Sequence, residues 1–230
     1  VLYELPAVHG AFILSENPPQ EFAGAHPQRA VTVGIIQSNV DPWEKWTRPG
    51  PATVESYIRQ TEALVDRSGR MKPGIVLWPE TALPYDILLP QNGGMLAEIR
   101  RRLDFLDVSV LTGLPHFIFY PDSLSGPQSA RRSARTGERY DVFNAAAFIQ
   151  PGADPIYWYG KMKMVPLAER VPYADALYFL DFLRWGVGIG NWQIGPDTTI
   201  FTHKETGARF CTVICYESVY PGFVASFVRK

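Results

Sequence analysis

Short runs of apolar and β-branched residues recur along the chain, each bounded by glycine, proline or aspartate. Most of these runs are continuous rather than alternating, which is typical of strands that are covered on both faces. The pattern predicts strands over residues 31–37, 75–78, 108–114, 143–149, 199–202 and 210–215.

Two segments between the runs carry apolar residues at helical spacing. One covers residues 53–68 and includes Ile58, and the other covers residues 94–106 and includes Ile99. Because strands and helices alternate along the chain, the sequence predicts an α/β fold.

The amino-acid composition excludes some classes of protein. The chain has 230 residues, of which 46% are hydrophobic and 20% are charged, as expected for one folded domain. The charges of its 22 basic and 23 acidic residues nearly cancel, which argues against a nucleic-acid-binding protein.

Residues 121–139 contain four arginines and show no periodic pattern of apolar residues. We interpret them as a solvated basic loop, with contact to an anionic lipid headgroup as the alternative.

The two cysteines do not pair in this interpretation. If residues 210–215 form a strand, Cys211 and Cys215 lie about 13 Å apart, whereas a disulfide needs about 5.5 Å between Cα atoms. The four histidines are scattered singly, so the sequence gives no support for a metal site or a metal cofactor.

Three side chains with reactive groups follow predicted strands or apolar segments. Glu80 follows the strand at 75–78, Lys161 lies with Lys163 among apolar neighbours, and Cys215 ends the run at 210–215. Taken alone, a glutamate like Glu80 is more often an ordinary surface acid, a lysine like Lys161 is more often solvated, and a cysteine like Cys215 is more often an inert thiol. Together they form a set for acyl transfer, because a carboxylate can deprotonate the thiol and an ammonium can stabilise the thiolate and an oxyanion.

The motifs Trp-Pro-Glu ending at Glu80, Tyr-Gly-Lys ending at Lys161, and Ile-Cys-Tyr-Glu containing Cys215 occur in this order. Their order resembles that of the nitrilase, or carbon–nitrogen hydrolase, superfamily. Within it the chain is most similar to the bacterial apolipoprotein N-acyltransferase family, whose opening motif is matched by Gln37, Asn39 and Trp46.

This resemblance implies an α-β-β-α sandwich with Glu80 as base, Lys161 as charge stabiliser and Cys215 as nucleophile. It also implies a supporting or substrate-binding role for four further residues, namely Trp46, Glu169, Tyr216 and Glu217. Residues 1–30 are expected to connect a preceding membrane segment to a catalytic domain at residues 31–230, which is expected to be incomplete at its C-terminus.

The implied activity is transfer of a fatty acyl group from a phospholipid to the N-terminal diacylglyceryl-cysteine of an apolipoprotein. The reaction proceeds through a cysteine thioester without a cofactor. The catalytic domain is expected on the outer, periplasmic side of the bacterial cytoplasmic membrane, where segments outside this chain would anchor it. Two alternatives stay open, namely a soluble nitrilase-type amidase and a nonenzymatic, membrane-anchored binding domain on the same scaffold.

Overall fold

The computed structural model describes residues 31–41, 50–121, 126–127, 130–133, 136–165, 169 and 192–228. The predicted connector at residues 1–30 and the predicted substrate contact Trp46 lie outside these residues. Within them the α/β class predicted from the sequence is confirmed.

The structure contains eight strands and three α-helices within the described residues, together with short 3-10 turns. In chain order they are β1 (Val33–Ile35), α1 (Gly50–Ser68), β2 (Ile75–Leu77), α2 (Gly93–Leu106), β3 (Ser109–Tyr120), β4 (Arg131–Arg132), β5 (Arg139–Ile149), β6 (Tyr157–Gly160), β7 (Phe201–Thr202), β8 (Arg209–Phe210) and α3 (Pro221–Val228).

The first six strands form one mixed sheet. Strands β1, β2 and β3 are parallel neighbours, and β5 pairs antiparallel with β3. The other side of β5 pairs with β6 near the middle of the sheet and with β4 toward its far end. Because β6 is antiparallel to β5, it runs in the same direction as β2 and β3. Chain segments that leave β2 and β6 therefore emerge at the same edge of the sheet.

Each face of this sheet has its own apolar core. On one face, α1 and α2 pack through residues such as Ile58, Ile99 and Leu103 against Val76 and Val110. On the other face, the two-stranded sheet of β7 and β8 and the helix α3 pack against the central sheet, through residues that include Phe148, Tyr159, Phe201 and Phe227. The layers thus follow the order helices, sheet and second sheet, as an α-β-β-α sandwich requires.

Both predicted helices and the first five predicted strands are confirmed, with shifted ends. The strand predicted at 108–114 extends to Tyr120, and the strand predicted at 143–149 begins at Arg139. As a result the predicted basic loop is partly a hairpin, since Arg131 and Arg132 form β4 and pair with β5. Strand β6 and helix α3 were not predicted.

The strand predicted at 210–215 is wrong beyond Phe210, where β8 ends. The backbone N–H of Ile214 donates to the Glu217 carboxylate at 2.7 Å instead of to a neighbouring strand. Cys215 then adopts a φ of 51°, which is incompatible with an extended strand. The two cysteines are nevertheless free thiols, as the sequence predicted.

We expect the helix-to-sheet core to dominate the stability of this domain. Replacing Leu103, which is 1% exposed, by alanine should lower the free energy of unfolding by about 2–5 kcal/mol, because it leaves a cavity under α2. Phe105 on the same helix is 86% exposed, so Phe105→Ala should change the free energy of unfolding by less than about 0.5 kcal/mol. Urea unfolding followed by circular dichroism measures both, and equal losses would contradict this description of the core.

Candidate active site

Glu80 lies in a turn just beyond β2, and Gly113 on β3 allows that turn to pack closely against the sheet. A Cβ atom at position 113 would lie 2.3 Å from the backbone nitrogen of Thr81 and 2.7 Å from the carbonyl oxygen of Pro79. Only glycine therefore permits this approach of the two backbones. The Glu80 side chain is held at the sheet edge while 35% of it stays exposed.

Asn144 on β5 links the Glu80 turn to the segment that carries Lys161. Its side-chain amide donates a hydrogen bond to Glu80 Oε1 at 2.7 Å, and its backbone carbonyl accepts one from the Lys161 N–H at 2.8 Å. Sequence reasoning did not single out Asn144. The signal was present, because Asn144 is the one polar side chain in the otherwise apolar run at 142–149, and a buried amide in such a run needs partners.

Lys161 directly follows β6 and is the fully buried cation of the site. Its Nζ lies 2.6 Å from Glu169 Oε1 and 3.5 Å from Glu80 Oε1, while its side chain has no exposed area. Lys163 is exposed, and its ammonium lies over the ring of Phe223. Both lysines lie beyond β6, which ends at Gly160.

The charges around Lys161 favour its protonated form. Burial acts to lower the pKa of Lys161, but the hydrogen bond with Glu169 and the charges of Glu80, Glu169 and Cys215 outweigh burial and raise it above its usual value. Cys215 is the smallest of these influences on the pKa of Lys161. Lys161 is therefore a buried positive charge in contact with two carboxylates.

Glu169 is the second carboxylate in contact with Lys161. One carboxylate oxygen contacts the ammonium, and the other accepts the backbone N–H of Val165 at 2.9 Å. Its side chain is 13% exposed. The supporting position predicted for Glu169 thus coincides with a direct contact to Lys161.

Cys215 is exposed and is the first residue of a 3-10 helix at Cys215–Val219. Its positive φ of 51° is uncommon for a residue with a side chain, and such strained positions cluster at functional sites. Tyr216 follows it and packs its half-buried ring edge-on against Tyr220, with 5.4 Å between ring centroids.

Glu217 is fully buried and connects the cysteine turn to the lysine segment. Its Oε1 accepts hydrogen bonds from the Tyr159 hydroxyl at 2.7 Å and from the N–H groups of Met162 and Lys163 at 2.6 and 3.1 Å. Its Oε2 accepts the Ile214 N–H at 2.7 Å. One carboxylate therefore ties the residues beside Lys161 to the residue before Cys215.

The structure thus brings together five of the seven predicted site residues. Glu80 and Glu169 each contact Lys161, the charge of Cys215 acts on Lys161, and Glu217 holds the segments beside Lys161 and Cys215. Tyr216 contacts Tyr220 instead, and Trp46 lies outside the described residues. No set of three His, Cys, Asp or Glu side chains in the described part of the chain is arranged to hold a metal ion. None of the helices described here has the length and apolar character needed to cross a bilayer.

Curated relatives match nearly the whole chain. An apolipoprotein N-acyltransferase of Chlorobaculum tepidum is 34% identical over 205 residues, which cover 87% of this chain and 37% of the relative. The enzyme of the same name from Pseudomonas aeruginosa is 31% identical over 90% of this chain and 35% of its own length. Over nearly its whole length, the chain is similar to part of the apolipoprotein N-acyltransferases.

The chain spans little more than a third of the length of these two relatives. No protein-family model matches it. Among solved structures, an amidase of Nesterenkonia sp. is similar over 86% of this chain and 60% of its own, with 13% identity and a TM-score of 0.42.

We expect Glu217 to stabilise the site as a carboxylate. In Glu217→Gln the amide can no longer accept every surrounding N–H and O–H group, so at least one buried donor loses its partner. The free energy of unfolding should fall by about 2 kcal/mol or more. The exposed Glu205 offers a matched control, and Glu205→Gln should leave the urea midpoint unchanged. A Glu217→Gln midpoint equal to that of the control would show that the carboxylate does not connect the two segments.

Proposed function

We propose that this chain carries the catalytic site of an enzyme that moves a fatty acyl group from a phospholipid to the α-amine of a diacylglyceryl-cysteine apolipoprotein. The observation that carries the proposal is the buried Lys161 ammonium, which contacts Glu80 and Glu169 and is influenced by the charge of Cys215. The similarity to apolipoprotein N-acyltransferases supports the acyltransferase activity. The roles of the individual residues are our assignment.

The first half-reaction loads the acyl group onto the cysteine. Glu80 takes the proton of the Cys215 thiol, and the thiolate attacks the carbonyl carbon of the phospholipid ester. The Lys161 ammonium and the backbone N–H of Tyr216 stabilise the tetrahedral oxyanion. When the intermediate collapses, the ester C–O bond breaks, the departing alkoxide takes the proton from Glu80, and a thioester remains on Cys215.

The second half-reaction delivers the acyl group to the lipoprotein. The neutral α-amine attacks the thioester carbonyl carbon, and Glu80 accepts the proton that the amine loses. The C–S bond then breaks, an amide is formed, and the Cys215 thiolate recovers its proton from Glu80. All bonds and protons balance within these groups, so the proposed reaction uses no cofactor.

The arrangement around Lys161 suits this chemistry because the ammonium does not need to move. Its raised pKa keeps it charged at neutral pH, so its field acts on the thiolate and on the oxyanion in turn. Asn144 and Lys161 both contact Glu80 Oε1, which orients the carboxylate that we assign to proton exchange with the thiol and the amine.

A nitrilase-type amidase would use the same three groups and pass the acyl group to water. The names of the curated relatives favour transfer over hydrolysis. We further propose that the site works at the outer face of the bacterial cytoplasmic membrane, because both proposed substrates are lipids or lipid-anchored. Trp46 as a substrate contact and residues 1–30 as a connector to a membrane segment stay predictions.

The covalent intermediate is the direct test of transfer. The chain in detergent micelles with phospholipid and no acceptor should gain the mass of one fatty acyl group, which hydroxylamine should release. The same assay applies to a protein in which this chain replaces the matching segment of the Chlorobaculum tepidum relative. Cys215→Ser should form no hydroxylamine-labile adduct, and Cys211→Ser serves as the matched control that should still form it.

Two results would contradict this proposal. One is the absence of an adduct in both proteins. The other is release of ammonia from simple amides without an adduct, which would favour the amidase.

The second test separates the two lysines. Lys161→Ala should lower the rate of adduct formation by about 10²-fold or more, because it removes the charge beside the thiolate. Lys163 is exposed, so Lys163→Ala should keep most of the rate. Loss of activity in Lys163→Ala with a normal rate in Lys161→Ala would overturn the assignment. Thermal unfolding of both variants checks that the lysine segment stays folded.

A further inference from the structure

An aromatic stripe lies on the outer part of the hairpin formed by β3 and β5, and it consists of Phe117, Phe119 and Tyr140. The rings of Phe117 and Phe119 have centroids 6.2 Å apart, and the ring of Tyr140 lies 5.9 Å from that of Phe119. Phe119 is 46% exposed. The stripe therefore presents a contiguous aromatic surface rather than a buried core.

The stripe begins beside the proposed catalytic site. Tyr140 and Asn144 are four residues apart on β5, so their side chains share one face of the strand, roughly 13 Å apart. Asn144 contacts Glu80 on that face. Strand β3 pairs with β2 only as far as Leu111 and continues to Tyr120, so the hairpin extends past the edge where Glu80 leaves β2.

Arginines flank the stripe. Arg131 on β4 lies opposite Tyr140, which places it on the face of the aromatic rings, and Arg132 beside it is exposed. The guanidinium of Arg139 donates to the carbonyl of Pro127 in the hairpin connection. The segment 121–139 contains four arginines against two acids, so this stretch of sequence is basic although the whole chain is nearly neutral.

We propose that the end of the β3–β5 hairpin docks on an anionic phospholipid bilayer, with the aromatic stripe at the headgroup level and the arginines on the lipid phosphates. The Tyr140 ring, with its polar hydroxyl end, suits the membrane–water interface, and the two phenyl rings add apolar surface that leaves water on docking. Each basic residue near an anionic leaflet adds attraction. Docking in this way would bring the Glu80 edge of the sheet toward the membrane surface. That orientation rests on the proposed function, whereas the docking itself does not.

The test is flotation of the 230-residue chain with phosphatidylcholine vesicles, with or without phosphatidylglycerol. The chain should bind the vesicles that contain phosphatidylglycerol, and added salt should weaken the binding. Phe119→Ser, and separately the pair Arg131→Gln with Arg132→Gln, should each lower the partition coefficient by about tenfold. Circular dichroism verifies that each variant is folded.

Matched control variants lie on the helical side of the molecule. Phe105→Ser removes an exposed phenyl ring from α2, and Arg67→Gln with Arg70→Gln removes two exposed arginines at the end of α1. Both should bind vesicles like the parent chain. Equal loss of binding in these controls, equal binding to neutral and anionic vesicles, or no binding at all would overturn the proposal.

Two further measurements separate this proposal from others. Cys215→Ala should float with the same vesicles as the parent, so loss of acyl transfer alone leaves the docking surface supported. A dimer in analytical ultracentrifugation that Phe119→Ser abolishes, without vesicle binding, would place a second copy of the chain on the stripe and overturn lipid docking.

Discussion

The structure of the site depends on one buried positive charge. Lys161 has no exposed side-chain area, and moving an ammonium from water into a protein interior costs several kcal/mol unless partners compensate. Glu169 and Glu80 provide that compensation from two different parts of the chain. Because an unpaired charge at this position would be strongly unfavourable, the ion pairs require the turn after β2, the end of β6 and Glu169 to meet.

A second carboxylate organises the backbone around that charge. Glu217 contributes no exposed surface and accepts hydrogen bonds from the segment after Lys161 and from the residue before Cys215. Its partners are backbone N–H groups, which need an acceptor when they are buried. Two of the three proposed catalytic groups, Lys161 and Cys215, thus lie on segments that are connected by an acid without a part in the proposed chemistry, whereas Asn144 holds Glu80.

The sequence predicts α1, α2 and the strands β1, β2, β3 and β5, because each of these elements has a local apolar pattern that burial enforces, whereas the layered sandwich was implied by the family resemblance. It predicts the ends of elements less well, since the β3–β5 hairpin extends through residues whose pairing is decided by contacts distant in sequence. The turn at Cys215 was missed because the apolar run before it satisfies the pattern of a strand, whereas Glu217 diverts the N–H of Ile214. Asn144 was missed for a similar reason, because its partner Glu80 lies 64 residues away.

The pairing of β3 with β5 has a consequence for how such a chain can change over evolution. A shift of one residue between the strands would turn Asn144 to the helical face and remove its contact with Glu80. The register near Pro115 and Asn144 is therefore fixed by the site. Strand β4 pairs only with Arg139 and Tyr140, four or more residues before Asn144, and so does not set the register at Asn144. The strands β3 and β5 are therefore expected to keep one alignment in any related chain that keeps the contact between Asn144 and Glu80.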